Sequence, residues 1–282
     1  MDGILLIDKE KGKTSRDIVN LVSKKLNTKK VGHAGTLDPI ATGLLVIGCG
    51  KATKILDLLT LDTKEYIAKV KIGIETDTLD ITGEVIKKQD KFNLEKDILE
   101  IVINSFKKTY MQTVPKYSAV KIKGKRLYDY ARCDIDVELP KREVNIFNIS
   151  LLNYDKENKE FTFQTLVSKG TYIRSLIKDI GDSLNIPCTM LELRRVKSGK
   201  FDILNSIKID DIKENSFLKI EDCLDYPKVV LKDENLLKKV RNGNIISLDN
   251  QSQRVIILDK NKNLLAIYDK INLNLYKSFK VF

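Results

Sequence analysis

Val31-Gly32-His33-Ala34-Gly35-Thr36-Leu37-Asp38-Pro39-Ile40-Ala41-Thr42-Gly43 is the stretch on which the reading of the chain turns. Its three glycines and one proline argue against a regular helix or a central strand, so it reads as a loop. The apolar run over residues 44–47 follows at once and reads as a buried strand. A loop of permissive residues feeding a core strand is where a rigid scaffold presents reactive groups. Asp38 precedes Pro39, which biases it toward an extended backbone and holds its carboxylate close to a core element. The stretch also contains His33, the chain's only histidine. One histidine and one aspartate are too few for a zinc or iron site, so no metal is expected there. On local pattern alone Asp38 stands open between an ordinary turn residue and a catalytic carboxylate.

Working outward, 282 residues allow one large domain or a large and a small one, and 42% hydrophobic residues support a real core. Fifty Lys and Arg against 39 Asp and Glu give a formal net charge of +11, which points to a polyanion partner such as nucleic acid. A solvated Lys-rich surface gives the same number, so charge alone does not decide. Cys49, Cys133, Cys188 and Cys223 form no Cys-x-x-Cys pair, which excludes a zinc ribbon or redox motif and suits reduced thiols of the cytoplasm. No signal peptide or membrane span is legible, and a soluble, cytoplasmic protein is expected. Residues 48–53 glance at a phosphate loop, but Leu45 and Ala52 stand where Gly and Ser or Thr are needed, which excludes an NTPase of that type.

Residues 3–7 read as a first strand, followed by a turn at 8–12. Thr14 or Ser15 caps a helix over 16–26, with Ile18, Leu21, Val22 and Leu26 on its apolar face. Residues 52–59 read as a short amphipathic helix. Alternation of Tyr66, Ala68, Val70 and Ile72 with Ile67, Lys69 and Lys71 predicts a half-buried strand. Residues 73–83 read as an acidic, solvated turn, with a metal at Asp77 and Asp80 the lesser alternative. A covering helix is expected over 94–106, a hairpin over 144–153 and 160–167, a helix from the Ser168–Arg174 junction to 184, and an apolar-basic strand over 191–201. Residues 116–126 carry five basic residues and no acid, flanked by Tyr117, Tyr128 and Tyr130. Basic groups pair with phosphates and rings stack on unpaired bases, although an ordinary charged hairpin has the same composition. Beyond Asp225 short strands and turns at 241–244 and 259–263 suggest a small separate β-rich domain.

At this point several motifs converge. Gly32-His33-Ala34-Gly35-Thr36-Leu37-Asp38-Pro39, with Ala41 and Gly43, resembles the catalytic motif of the TruB-type tRNA pseudouridine synthases. Residues 3–9 resemble the family's opening strand and Lys64-Glu65-Tyr66 its tyrosine segment. Tyr117-Ser118-Ala119, Lys121, Gly124-Lys125, Tyr128 and Ala131-Arg132 resemble its RNA-clasping insertion. Lys169-Gly170-Thr171-Tyr172-Ile173-Arg174 and Leu193-Arg194-Arg195 resemble its last two motifs, in family order. One departure is Glu10, where the family usually has proline; it is expected to loosen that turn and add a charge near RNA.

The resemblance implies a mixed α/β (α+β) fold with a largely antiparallel central sheet flanked by helices. It implies a catalytic domain over 1–224, an RNA-clasping insertion over about 115–143, and a PUA-like domain over 225–282. The implied reaction isomerises a T-loop uridine of tRNA, position 55, to pseudouridine after base flipping, as a monomer, with no cofactor, metal, membrane or protein partner. Asp38 would be the nucleophile. Arg174 would support it, as a guanidinium that stays charged and pairs bidentately with a carboxylate. Tyr66 would contact the uracil, Tyr172 and Leu193 would line the uridine pocket, His33 would act in displacing the flipped nucleotide, and Lys9 would support the pocket. Two other readings compete: a guide-RNA-dependent pseudouridine synthase, and an RNA-folding role beside or without catalysis.

Overall fold

The computed structural model describes residues 2–60, 63–133 and 135–282. Strand β1 (Gly3–Lys9) pairs antiparallel with β3 (Thr42–Cys49), and Ile4 to Ile7 are all nearly inaccessible to solvent. Full burial of each such aliphatic side chain is worth about 1.5–3 kcal/mol. Helix α1 (Ser15–Lys25) starts at a capping box in which Thr14 Oγ1 accepts the Asp17 N–H and the Asp17 carboxylate accepts the Thr14 N–H. Its Ile18, Val19 and Val22 pack on Leu5, Ile7, Leu45 and Ile47.

The loop read over 31–43 is shorter than expected, because Val31–Ala34 is a strand, β2, paired antiparallel with β3. Gly32 and Gly48 face each other in that pair, and a Cβ on either would meet the Leu56 side chain within 2.9 Å. These glycines make room for a packed leucine rather than a turn. The helix expected over 52–59 is instead a 3₁₀ segment, Gly50–Ile55, leading into α2 (Leu56–Thr60).

Strand β4 (Lys64–Ile72) shows the strict buried–exposed alternation expected of it. The short hairpin β5 (Ile74–Thr76) and β6 (Val85–Lys88) follows, then α3 (Lys96–Ser105) and β7 (Thr109–Thr113). The basic stretch folds as a two-strand hairpin, β8 (Lys121–Ile122) and β9 (Lys125–Arg126), running into α4 (Leu127–Arg132). Its turn has positive φ at Lys123 and Gly124, the primed geometry that suits a two-residue hairpin. Strands β10 (Lys141–Asp155) and β11 (Glu160–Val167), helix α5 (Ile173–Leu184), and strands β12 (Cys188–Ser198) and β13 (Phe201–Asp202) complete this part.

Nine strands form one sheet in the order β1-β3-β12-β4-β11-β10-β7, with β2 beside β3 and β13 beside β12. The β3–β12 pairing is parallel, against antiparallel neighbours, so the sheet is mixed and largely antiparallel as expected. This order brings the end of the 35–41 loop, the start of β4 and the far end of β12 side by side: Arg195 is in register with both Gly43 and Tyr66. Gly43 has φ +102°, and a Cβ there would collide with the Arg195 backbone, so only glycine lets the two strands meet.

The C-terminal residues form a five-stranded sheet in the order β14-β16-β17-β18-β15, from β14 (Lys228–Val230), β15 (Ile246–Ser247), β16 (Arg254–Leu258), β17 (Leu264–Lys270) and β18 (Leu275–Val281). The region is not purely strands and turns: Asp233 caps a helix, α6 (Glu234–Arg241), whose Leu237 and Val240 are buried. Ile256, Leu258 and Ile267 join one apolar cluster with Ile4, Leu6, Leu44 and Val46, so this sheet packs on the back of β1 and β3. No described helix is long and apolar enough to cross a membrane.

Candidate active site

A cavity of about 680 Å³ opens over the central sheet, and Asp38, His33, Tyr66, Tyr172, Arg174 and Leu193 all border it. The sequence placed these residues on four separate segments; the sheet order gathers them.

The Asp38 loop is pinned along its length. Ser15 Oγ accepts the Leu37 N–H at 2.9 Å and donates to the Leu37 carbonyl at 3.3 Å. The Gly12 N–H donates to the Pro39 carbonyl at 2.8 Å, and the Ala41 N–H closes a turn onto the Asp38 carbonyl at 3.0 Å. Leu37, Ile40 and Ala41 are buried in the same apolar cluster as Tyr66 and Leu193. The carboxylate of Asp38 is left about one-third exposed, facing the cavity.

Arg174, in the first turn of α5, meets that carboxylate through two nitrogens: Nε to Oδ2 at 2.9 Å and Nη2 to Oδ1 at 3.1 Å. This is the bidentate pairing expected from the resemblance. Its remaining donors reach the Thr78 carbonyl (2.9 Å) and the Tyr117 carbonyl (3.1 Å), and Asp80 Oδ2 lies 3.8 Å from Nη1. The acidic turn over 73–83 is therefore not the solvated loop expected. Asp80 is 6% exposed, its Oδ1 accepts from Thr78, Thr82 and the Thr82 N–H, and Asp77 accepts the Tyr117 hydroxyl at 2.9 Å. Among the described residues no cluster of His, Cys, Asp or Glu could hold a metal ion.

Tyr66 and Leu193 point from β4 and β12 into the apolar floor and are 8% and 7% exposed. Tyr172 is the residue before α5; its N–H donates to Gln112 Oε1 at 2.8 Å, and burial pushes its phenol pKa up. Its ring borders the cavity. His33 lies on β2 at the cavity edge, and its buried Nδ1 has no hydrogen-bond partner. Burial, and then the positive charges of Arg16 and Arg195, push its pKa below the usual value, so the ring is neutral at pH 7. Lys9 does not border the cavity. Its ammonium lies beneath the loop, donating to the carbonyls of Lys13 (2.7 Å), Glu10 (3.0 Å) and Pro39 (3.4 Å), and burial pulls its pKa down to about 8. Glu10 pairs with Lys13 at 3.0 Å, so the charge it adds to this turn is balanced locally.

The sequence singled out Arg194 and Arg195 as part of an apolar-basic strand and of a family-like motif, without a role for either. Arg194 pairs with Asp8 at 2.8 Å, while Arg195 points to the opposite face and borders the cavity with Arg16, Lys64 and Ser118. The strand alternation that places Leu193 on the cavity face places Arg195 there too, which is the signal that identifies it.

Two family models match the chain. Residues 23–173 match the model for the TruB family pseudouridylate synthase N-terminal domain, and residues 174–237 match the tRNA pseudouridylate synthase B C-terminal domain. A tRNA pseudouridine synthase B of Lactobacillus acidophilus is 41% identical over 96% of this chain and 95% of its own. That of Mesoplasma florum is 39% identical over 98% of this chain and 96% of its own. Among solved structures, a chain of an H/ACA RNP bound to a substrate RNA containing 2′-deoxyuridine shares the fold, with TM-score 0.72 and 24% identity over 99% of this chain and 84% of that one. The loop with its paired aspartate, the sheet that presents it and these matches over nearly the whole length give one answer: the chain belongs to the TruB family of pseudouridylate synthases.

Proposed function

We propose that the chain isomerises a uridine of tRNA to pseudouridine at position 55 of the T-loop, with Asp38 as nucleophile. The observation that carries this reading is the Asp38–Arg174 pair: a carboxylate held by two nitrogens of one guanidinium, open to a cavity of nucleoside size. The reaction breaks the N1–C1′ bond, turns the uracil and joins C5 to C1′; the C5 proton leaves and N1 regains one. Asp38 attacks C1′ as the glycosidic bond breaks, as in retaining glycosidases, and leaves when C5 rejoins. Arg174 holds both carboxylate oxygens and so keeps Asp38 aimed into the cavity. Tyr66, Tyr172 and Leu193 form the walls against which the uracil turns, and neutral His33 at the rim fills the space vacated by the flipped nucleotide.

Extruding the uridine costs a few kcal/mol, offset by stacking in the cavity and phosphate contacts around it. Lys121, Lys123, Lys125 and Arg126 are exposed on the hairpin beside the cavity and suit those contacts. Residues 1–224 would be the catalytic unit and 225–282 an RNA-binding unit of PUA type, acting in the cytoplasm as a monomer without cofactor. A guide-RNA-dependent reading draws on the shared fold of the H/ACA RNP chain. The relatives near 40% identity are named as tRNA enzymes, which favours direct action on tRNA.

Purified chain and a bare T-arm stem-loop carrying tritium at uridine C5 test the proposal. Tritium release with formation of pseudouridine is expected with protein alone. Activity only after a guide RNA is added would overturn it.

A further inference from the structure

Arg195 is 1% exposed, yet no carboxylate pairs with it among the described residues. Its Nε donates to the Leu44 carbonyl at 2.7 Å and its Nη2 to the Gly35 carbonyl at 3.2 Å. Those carbonyls stand at the two ends of the loop that carries Asp38. The remaining nitrogen, Nη1, makes no hydrogen bond among the described residues and lies 3.5 Å from where a side chain on Gly35 would start. The carboxylates of this region are already engaged, Asp38 by Arg174 and Asp8 by Arg194. Arg16, from the first turn of α1, borders the same cavity, is exposed, and has no hydrogen-bond or ion-pair partner among the described residues. His33 borders the same cavity, and after burial the charges of Arg16 and Arg195 lower its pKa.

A buried guanidinium with only neutral carbonyl partners is costly, and the cost falls when a bound ligand supplies the missing anion. On the reading proposed above, a ribose whose C1′ meets Asp38 carries a phosphate on either side, within the span of this loop. A guanidinium fork matches two phosphate oxygens, and a second arginine at the rim completes the neutralisation. We propose that Arg195 and Arg16 form a subsite for a backbone phosphate flanking the isomerised nucleotide. Arg195 then acts in two ways. It holds Gly35 and Leu44 and so fixes the loop of Asp38, and it gives Nη1 to the phosphate, so that seating the RNA backbone tightens the clamp on the catalytic carboxylate.

The test uses full-length protein and T-arm stem-loops in which single phosphates around the target uridine are replaced by neutral methylphosphonate. In wild type, one flanking replacement is expected to lower kcat/KM about tenfold, the size of one charge-assisted contact. In Arg16→Gln, whose side chain holds nothing in the fold, unmodified RNA is expected to bind more weakly with a salt slope smaller by about 0.7. The same methylphosphonate should then cost less than about twofold, since the contact is already weakened. Arg195→Lys keeps the charge but loses the separate nitrogens that reach Leu44, Gly35 and the phosphate at once, so it should lower kcat as well as the discrimination. Equal methylphosphonate effects in wild type and Arg16→Gln at every linkage would overturn the subsite. Failure of wild type to turn over the unmodified stem-loop is a different result, and would count against the pseudouridine reading itself.

Discussion

The wall of the cavity that carries Asp38 and Arg174 and the wall formed by the hairpin and helix over residues 121–132 face the same space but are built on different terms. On the first, the groups that fix the catalytic loop are tied to partners: Asp38 to Arg174, Leu37 to Ser15, Gly35 and Leu44 to Arg195. Its floor is continuous with the sheet core through Leu37, Tyr66 and Leu193. The second wall has two-residue strands, exposed Lys121, Lys123, Lys125 and Arg126, and Leu127 and Ala131 as its buried anchors. Its contacts are largely its own: Arg126 and Arg132 stack over Tyr128 at 5.6 and 5.4 Å, and Tyr130 donates to the Ile122 carbonyl. On the proposed function, bond rearrangement at C1′ needs a fixed carboxylate. Gripping a flexible polyanion needs positive charge and faces for stacking, with little need of rigidity.

Each wall can be altered without the other. The largest effect is expected at Arg174. Arg174→Lys keeps a charge but loses the two-pronged hold, and kcat should fall about 10²–10³-fold, from the loss of a buried, hydrogen-bonded pair worth about 3–5 kcal/mol when broken. RNA affinity, read by filter binding, should change far less; an equal loss in affinity would mean that Arg174 grips RNA rather than serving the chemistry. Next comes Gly43→Ala, which forces a Cβ onto the Arg195 backbone at positive φ. Denaturant unfolding should show a loss of about 2–4 kcal/mol, and an unchanged midpoint would mean that β3 and β12 tolerate separation.

On the other wall, replacing Lys123, Lys125 and Arg126 together by Gln should weaken RNA binding about tenfold or more at 150 mM salt and flatten its salt dependence. The melting temperature and the single-turnover rate at saturating RNA should stay near wild type. A fall in that rate would show that the hairpin takes part in the chemistry. The smallest effect concerns Lys9. Burial lowers its pKa to about 8, so between about pH 8 and 10.5 the unfolded chain holds the proton more readily than the folded one. The burial penalty is fully present below pH 8 and fades as pH rises through that window. Wild type should therefore gain stability relative to Lys9→Met from pH 8 to 10, by no more than about 1.4 kcal/mol per pH unit. A constant difference between the two would show that Lys9 titrates normally.

The same contrast explains what was legible in the sequence. Strand β4 and helix α5 were plain because burial alternates with period two in one and follows helical spacing in the other. Asp38 and Arg174 are 136 residues apart in sequence, and they came together through motif resemblance; nothing in their local spacing pairs them. The strand Val31–Ala34 was hidden because glycines that usually signal a turn here admit Leu56. Asp80 was hidden because an acidic turn is normally solvated, and here the tertiary approach of β12 at Met190 and of Arg174 on α5 encloses it. Helix α6 was hidden by its length of eight residues between turn-rich segments, although Asp233 supplies its cap.

On the proposed function the carboxylate of Asp38 makes the bond to the sugar, and Asp38→Asn removes the attacking oxygen. The amide has the same shape, keeps a carbonyl oxygen toward Arg174 and leaves the loop contacts of Leu37, Pro39 and Ala41 in place. Single-turnover tritium release from uridine C5 should fall by at least about 10⁴-fold while stem-loop binding stays within a few-fold of wild type. Release at close to the wild-type rate, with the same binding, would contradict the account.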